Sequence, residues 1–198
     1  MKVSVFKADK VPNKSHFDEG EIRKVLSDVA ELTDTTDLVV ALYLSPGKKW
    51  GGIYELRSGT PKSFSHTKGR WAFARRFSAP SDFPQEFQLI RMILGTSFRY
   101  PLITRDCYGW EFRFQQFEEH LAWLFAHELH HFRRHHLGLH PREGEISANK
   151  WATARVKELG LDVQARPIRR RRSKATSPLE TVLDAIEIRN NSNRPKRH

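Results

Sequence analysis

Apolar positions recur along the chain with changing period, and the changes mark out the elements. Over residues 17–32, Ile22, Val25, Leu26, Val29 and Leu32 stand three or four apart, which predicts an amphipathic helix. Residues 37–45 (DLVVALYLS) are instead a short, β-prone apolar run bounded by Pro46 and Gly47, and read as a buried strand. Residues 50–57 give a second strand, weakened at its start by Gly51 and Gly52. Over 58–81 the chain turns to Gly, Ser, Pro and basic residues, with Trp71, Phe73 and Phe77 interspersed, the composition of a loop or an irregular hairpin. Residues 84–94 (PQEFQLIRMIL) open on a proline and leave at Gly95, which predicts a helix.

The second half begins extended, over 100–105 and again over 110–114. In the latter stretch Trp110, Phe112 and Phe114 alternate with Glu111 and Arg113, as in a half-buried strand. Around Phe117 the period changes. Phe117, Leu121, Leu124, Phe125, Glu128 and Phe132 recur at helical spacing, so a long helix runs to about residue 136, where Gly138 and Pro141 stop it. A further helix covers 143–159 and ends at Gly160. Beyond it, Arg169, Arg170, Arg171 and Arg172 form a run that repels itself and stays unfolded alone. Ser177-Pro178-Leu179-Glu180 then has the capping-box pattern, with Leu179, Val182, Leu183 and Ile186 on one face of a short helix near 178–188.

Charge sharpens this division. The net charge is +11 over 198 residues. Residues 164–198 hold ten Lys/Arg and three Asp/Glu, a net of +7, which leaves 24 basic and 20 acidic residues, a net of +4, in 1–163. The expected organisation is therefore a domain over 1–163 and a basic tail over 164–198. Such a tail attracts nucleic acid without sequence preference, through Arg169–Arg172, or serves as a solvated leash. The single cysteine, Cys107, excludes an internal disulfide and any cysteine-based zinc knuckle, and reads as a small buried hydrophobe. The first twenty residues contain no signal-like apolar run, and no eighteen consecutive apolar residues occur anywhere. The expectation is a soluble cytoplasmic protein without a membrane partner.

Chemistry concentrates on the long helix. Six of the ten histidines fall within 127–140. His127 and His131, four apart, project from one helical face and suit a zinc ion. Glu128 stands beside them, placed to act as general base in the manner of an H-E-x-x-H motif. The competing reading is a basic, His-rich helix face with no metal. A third ligand must come from elsewhere. Glu145, opening the next helix, is the first choice, with His140 and Glu143 as competitors. Asn149, one turn on, is expected to accept the other ring N–H of a ligand histidine through its amide oxygen. His135 shares the face of His131 and is a candidate oxyanion partner, against the alternative of a surface histidine; His130 and His136 flank the motif. His120 either orients a neighbour or is exposed, and Trp123 and Trp151 read as core. Arg134 and Leu137 stand where the extended metzincin pattern needs Gly and His, which excludes that family.

His127-Glu128-Leu129-His130-His131, followed by Glu145-x-x-Ala148-Asn149-x-Trp151-Ala152, resembles the gluzincin-like peptidases of the ImmA/IrrE type and the minimal gluzincins. The resemblance implies His127, His131 and Glu145 as zinc ligands and Glu128 as base, and it covers about 127–152. A second comparison is the SprT-like family, which works at DNA and takes a histidine as third ligand; the basic charge favours it, while Glu145 and Asn149 do not. The combined expectation is an α+β, zincin-like domain with a small antiparallel or mixed sheet packed on the motif helix. Its expected function is zinc-dependent hydrolysis of a protein or peptide substrate. The rival is a nucleic-acid-associated binding protein with a structural or degenerate metal site.

Overall fold

Buried strands and a buried helix divide the core between them. The computed structural model describes residues 1–8, 18–65, 79–140, 142 and 144–168. In chain order the elements are β1 (Lys2–Lys7), α1 (Glu19–Ala30), β2 (Leu38–Ser45), β3 (Trp50–Tyr54), α2 (Pro61–Ser65), β4 (Gln88–Gly95), β5 (Leu102–Arg105), β6 (Trp110–Phe114), α3 (Phe117–His135), α4 (Glu145–Glu158) and β7 (Gln164–Pro167). The fold is a mixture of α and β. One sheet has the order β1-β2-β4-β3, with β1, β2 and β4 parallel and β3 antiparallel on the edge. The other is the antiparallel sheet β5-β6-β7.

The near-continuous apolar run of β2 belongs to a strand covered on both faces. Leu38, Val40, Leu42 and Leu44 join the main core with Ile22, Leu26 and Val29 of α1 and the apolar residues of α3. Val39 joins a second cluster with Phe64 of α2, Phe87 and Leu89. The same demand corrects the helix expected over 84–94, because this segment is the central strand β4. Pairing between β2 and β3 buries Leu89, Ile90, Met92, Ile93 and Leu94 together, whereas one helical face would bury only part of them. Each such burial contributes about 1.5–3 kcal/mol. That outweighs helix propensities of at most about 0.7 kcal/mol per residue.

α1 starts where the Asp18 carboxylate accepts from the backbone N–H groups of Gly20 (2.8 Å) and Glu21 (3.3 Å). It ends before Leu32, which is exposed rather than on the buried face. The guanidinium of Arg155, buried on α4, donates to the carbonyls of Val29 (3.0 Å) and Asp28 (2.6 Å) and so joins the end of α1 to α4. α3 is buried almost all round, from Phe117 to Phe132, as befits a helix between a sheet and other helices. Glu119 in its first turn accepts from Gln115 N–H (2.5 Å). Gly138 and Gly160 have positive φ after α3 and α4, as their placement in the sequence predicts.

Residues 164–167 lie inside the compact unit Met1–Pro167, where β7 pairs with β6. Their assignment to a free tail is corrected by that pairing, and by Arg166 Nε donating to Glu111 Oε1 (2.8 Å). Trp71, Phe73, Phe77, Pro141, Glu143, Arg169–Arg172 and the helix expected near 178–188 lie outside the described residues. Among the described residues no helix is long and apolar enough to cross a membrane.

Candidate metal centre

α3 presents His127 and His131 one turn apart, and α4 brings the carboxylate of Glu145 to both. His127 Nε2 lies 3.1 Å from Glu145 Oε2, His131 Nε2 lies 3.4 Å from Glu145 Oε1, and the two Nε2 atoms are 3.2 Å apart. The histidine side chains are 12% and 13% exposed, and that of Glu145 is 35% exposed. Two imidazole nitrogens and one carboxylate converge here. Ring N–H groups donating to the carboxylate satisfy such an arrangement, and so does one metal ion held through the nitrogen lone pairs. A tetrahedral shell with bonds of about 2.0–2.2 Å has edges of about 3.3–3.6 Å, close to the spacings found. The set fits a metal ion, and among the described residues it is the one His/Cys/Asp/Glu group close enough to hold one. The same proximity holds the Glu145 carboxyl far below the usual carboxylate range, through its hydrogen bonds to His127 and then His131.

Glu128, next to His127, is buried at 5% exposure against the edge strand β3. Gly52 makes room for it. A β-carbon on Gly52 would stand 2.5 Å from Glu128 Oε1 and 2.6 Å from its Cδ. Sequence reading treated Gly51 and Gly52 as a weak strand start. The signal that finds the contact is a glycine in an otherwise β-prone run, which marks close approach by another group. On the same strand, Trp50 packs edge-on against His120 (5.1 Å) and Trp123 (6.2 Å), and Tyr54 stacks on His135 (6.0 Å, 11°).

His127, His131, Glu145 and Glu128 line a cleft of about 630 Å³, with β3 on one wall and the turn between β5 and β6 on another. The turn supplies Asp106, Cys107 and Tyr108. Cys107 is exposed, which corrects its expected burial: it sits at a hairpin tip, and the core is filled instead by Trp110, Phe112 and Phe114 of β6. Neither Asp106 nor Tyr108 stands out in the sequence, because only the hairpin carries them to the cleft.

The remaining histidines separate by environment. His135 lines the cleft, and burial beside Arg134 and His131 lowers its pKa. His140 has positive φ and lines a different pocket, with Arg133, Ser147, Lys150 and Trp151, apart from the His127–His131–Glu145 group. His120 is neither exposed nor in the cleft; it is fully buried. Trp123 is buried and donates through Nε1 to Thr153 Oγ1 (3.1 Å), while Trp151 is half-buried beneath the Arg133 guanidinium (4.5 Å). Asn149 is fully buried; its amide Nδ2 donates to Asp106 Oδ2 (3.0 Å), and its Oδ1, expected to accept from a ligand histidine, has no hydrogen-bond partner. No protein-family model, curated protein or solved structure matches this chain.

Proposed function

We propose that this chain is a zinc-dependent metallopeptidase with a zincin-like arrangement of edge strand and motif helix. The observation that carries the reading is the convergence of His127, His131 and Glu145 within 3.4 Å of one another, beside the buried carboxylate of Glu128. His127, His131 and Glu145 would hold the ion. When bound, zinc supplies Lewis acidity toward a carbonyl oxygen and toward water.

The chain's own residues account for the rest. Glu128 takes a proton from the attacking water at its carboxylate as the new C–O bond forms. It returns that proton to the leaving nitrogen as the C–N bond breaks. Strand β3, unpaired on its outer side among the described residues, offers backbone N–H and C=O groups to an extended peptide. A peptide laid along that edge lies over Gly52, the point where Glu128 approaches the strand. Tyr54 and His135 stack at one end of the cleft, where the imidazole is placed to donate to a developing oxyanion.

Cleavage of an unfolded protein and of a mixed peptide library by the zinc-loaded chain tests this reading. We expect cleavage that a chelator stops, that added zinc restores, and that Glu128→Gln lacks. Equal product from wild type and Glu128→Gln would remove it.

A further inference from the structure

Asp106 follows β5 and closes the hairpin to β6. Its backbone N–H donates to the carbonyl of Trp110 (3.1 Å), and its Oδ1 accepts from the N–H groups of Tyr108 (2.9 Å) and Trp110 (2.8 Å). The other oxygen, Oδ2, reaches out of the hairpin to Asn149 Nδ2 (3.0 Å), on α4 one turn beyond Glu145. An ionised carboxylate only accepts hydrogen bonds, so it fixes which end of the amide faces it. The NH2 group must point to Asp106, and Asn149 Oδ1 is left as the free acceptor. That oxygen is buried without a hydrogen-bond partner, and so is His127 Nδ1; both residues line the cleft. Leaving a buried donor or acceptor unmatched costs about 1–3 kcal/mol. In the tautomer that leaves Nε2 its lone pair, Nδ1 carries the proton, and an acceptor and a donor left over in one cleft are complements.

We propose that Asp106 is a positioning residue for the metal centre. By orienting the Asn149 amide, it reserves Asn149 Oδ1 for the His127 Nδ1 proton. That selects the tautomer whose Nε2 lone pair faces Glu145 and His131, and it ties the 107–109 turn to the helix carrying Glu145. The inference rests on the metal-binding part of the proposed function and not on hydrolysis. Without Asp106 the amide is free to turn over, and its NH2 group then opposes the ring N–H instead of accepting it.

The test is zinc affinity by chelator competition, with the visible spectrum of the cobalt-loaded protein as a second readout. The proteins compared are wild type, Asp106→Ala, Asp106→Asn, Asn149→Ala and the double variant Asp106→Ala/Asn149→Ala. We expect Asp106→Ala and Asn149→Ala each to weaken affinity about ten- to a hundredfold and to change the cobalt spectrum. The double variant should bind within about twofold of Asn149→Ala, because Asp106 acts through Asn149. Asp106→Asn, which keeps one acceptor oxygen, should fall between wild type and Asp106→Ala, and it carries the test if the alanine variant fails to fold. Glu111→Ala removes ion pairs to Arg105 and Arg166 in the same sheet and should leave zinc affinity unchanged, so general loosening of the hairpin is separated from positioning. Wild-type affinity in both Asp106 variants, or additive losses in the double variant, would overturn the inference. Tight zinc binding with the expected coupling but no peptide cleavage would sink the hydrolase reading and leave this one standing. A wild-type chain that binds no zinc would end both.

Discussion

Two histidines of α3, seven residues apart, occupy opposite environments. His120 is enclosed by aromatic rings: Phe114 stacks on it at 4.3 Å, with Trp50 at 5.1 Å and Phe98 at 5.4 Å. The Tyr100 hydroxyl lies 3.2 Å from its Nδ1, and burial pushes its pKa down to about 3. His127 faces a carboxylate and a second imidazole across a solvent-reaching cleft. The helix and the residue type are the same, so neither decides what an imidazole does. The surroundings decide. A ring without a countercharge is a neutral core group, and a ring whose nitrogen converges with a carboxylate and a second imidazole could hold a metal ion.

The sharpest way to break that contrast is to remove the carboxylate. Wild type should bind one zinc per chain; Glu145→Ala should lower that affinity more than about a hundredfold, while His140→Ala keeps it. Elemental analysis of protein purified without added metal reads this directly. If His140→Ala loses the metal and Glu145→Ala does not, the ligand assignment is wrong.

Glu128→Gln separates holding an ion from using it. The amide is nearly isosteric but does not take up a water proton, so peptide turnover should drop about a hundredfold to ten-thousandfold with zinc affinity unchanged. A steady-state assay beside the chelator titration gives both numbers, and retained turnover would exclude Glu128 as the base.

Gly52→Ala probes the same carboxylate from the strand side. The added methyl would meet Glu128 Oε1 at 2.5 Å, so the carboxylate must shift. Displacement of about 1 Å costs turnover about a hundredfold. Metal affinity should hold, because His127 and His131 are not the groups that move. Unchanged kcat would mean that Glu128 works equally well from another position.

The smallest expected effect lies at His120. Its folded pKa, about 3, is below the ordinary value of 6.5, so the unfolded chain binds the extra proton between those limits. The stability contributed by the neutral ring is therefore complete above about pH 6.5 and is lost as pH falls toward 3. The slope approaches about 1.4 kcal/mol per pH unit within that window. Urea unfolding of the metal-free protein at several pH values should show it, and His120→Phe should flatten it by one proton's worth. An identical slope in the variant would mean that His120 does not titrate on unfolding.

The helix bearing His127 and His131 was legible because its signal is local. Spacing alone puts the two on one face, and the glycines that follow α3 and α4 obey short-range rules, so the bounds expected for both helices come within two residues of those found. Glu145 was the first choice among three candidates for a related reason, its place at the start of the next helix, and the packing of α4 on α3 settles that it is the carboxylate near the two imidazoles. β4 was not. Its apolar run carries no period that separates a buried strand from a buried helix, and Pro84 and Gly95 imitate helix ends. Cys107 was misplaced because its neighbours in sequence say nothing of the hairpin tip on which it stands.

The sequence by itself determined the residue types that could hold a metal ion, the pair of helices that bear them and the long apolar segments that must be covered, because each depends on residues within a few positions of one another. Only the tertiary structure decided which carboxylate reaches the two imidazoles and that Gly52 gives way to Glu128. It also decided that the Asn149 amide donates to Asp106. These contacts join residues far apart in the chain. They are set by how strands β3 and β4 pair and by how the β5–β6 hairpin meets α4, and burial of the whole core selects that pairing.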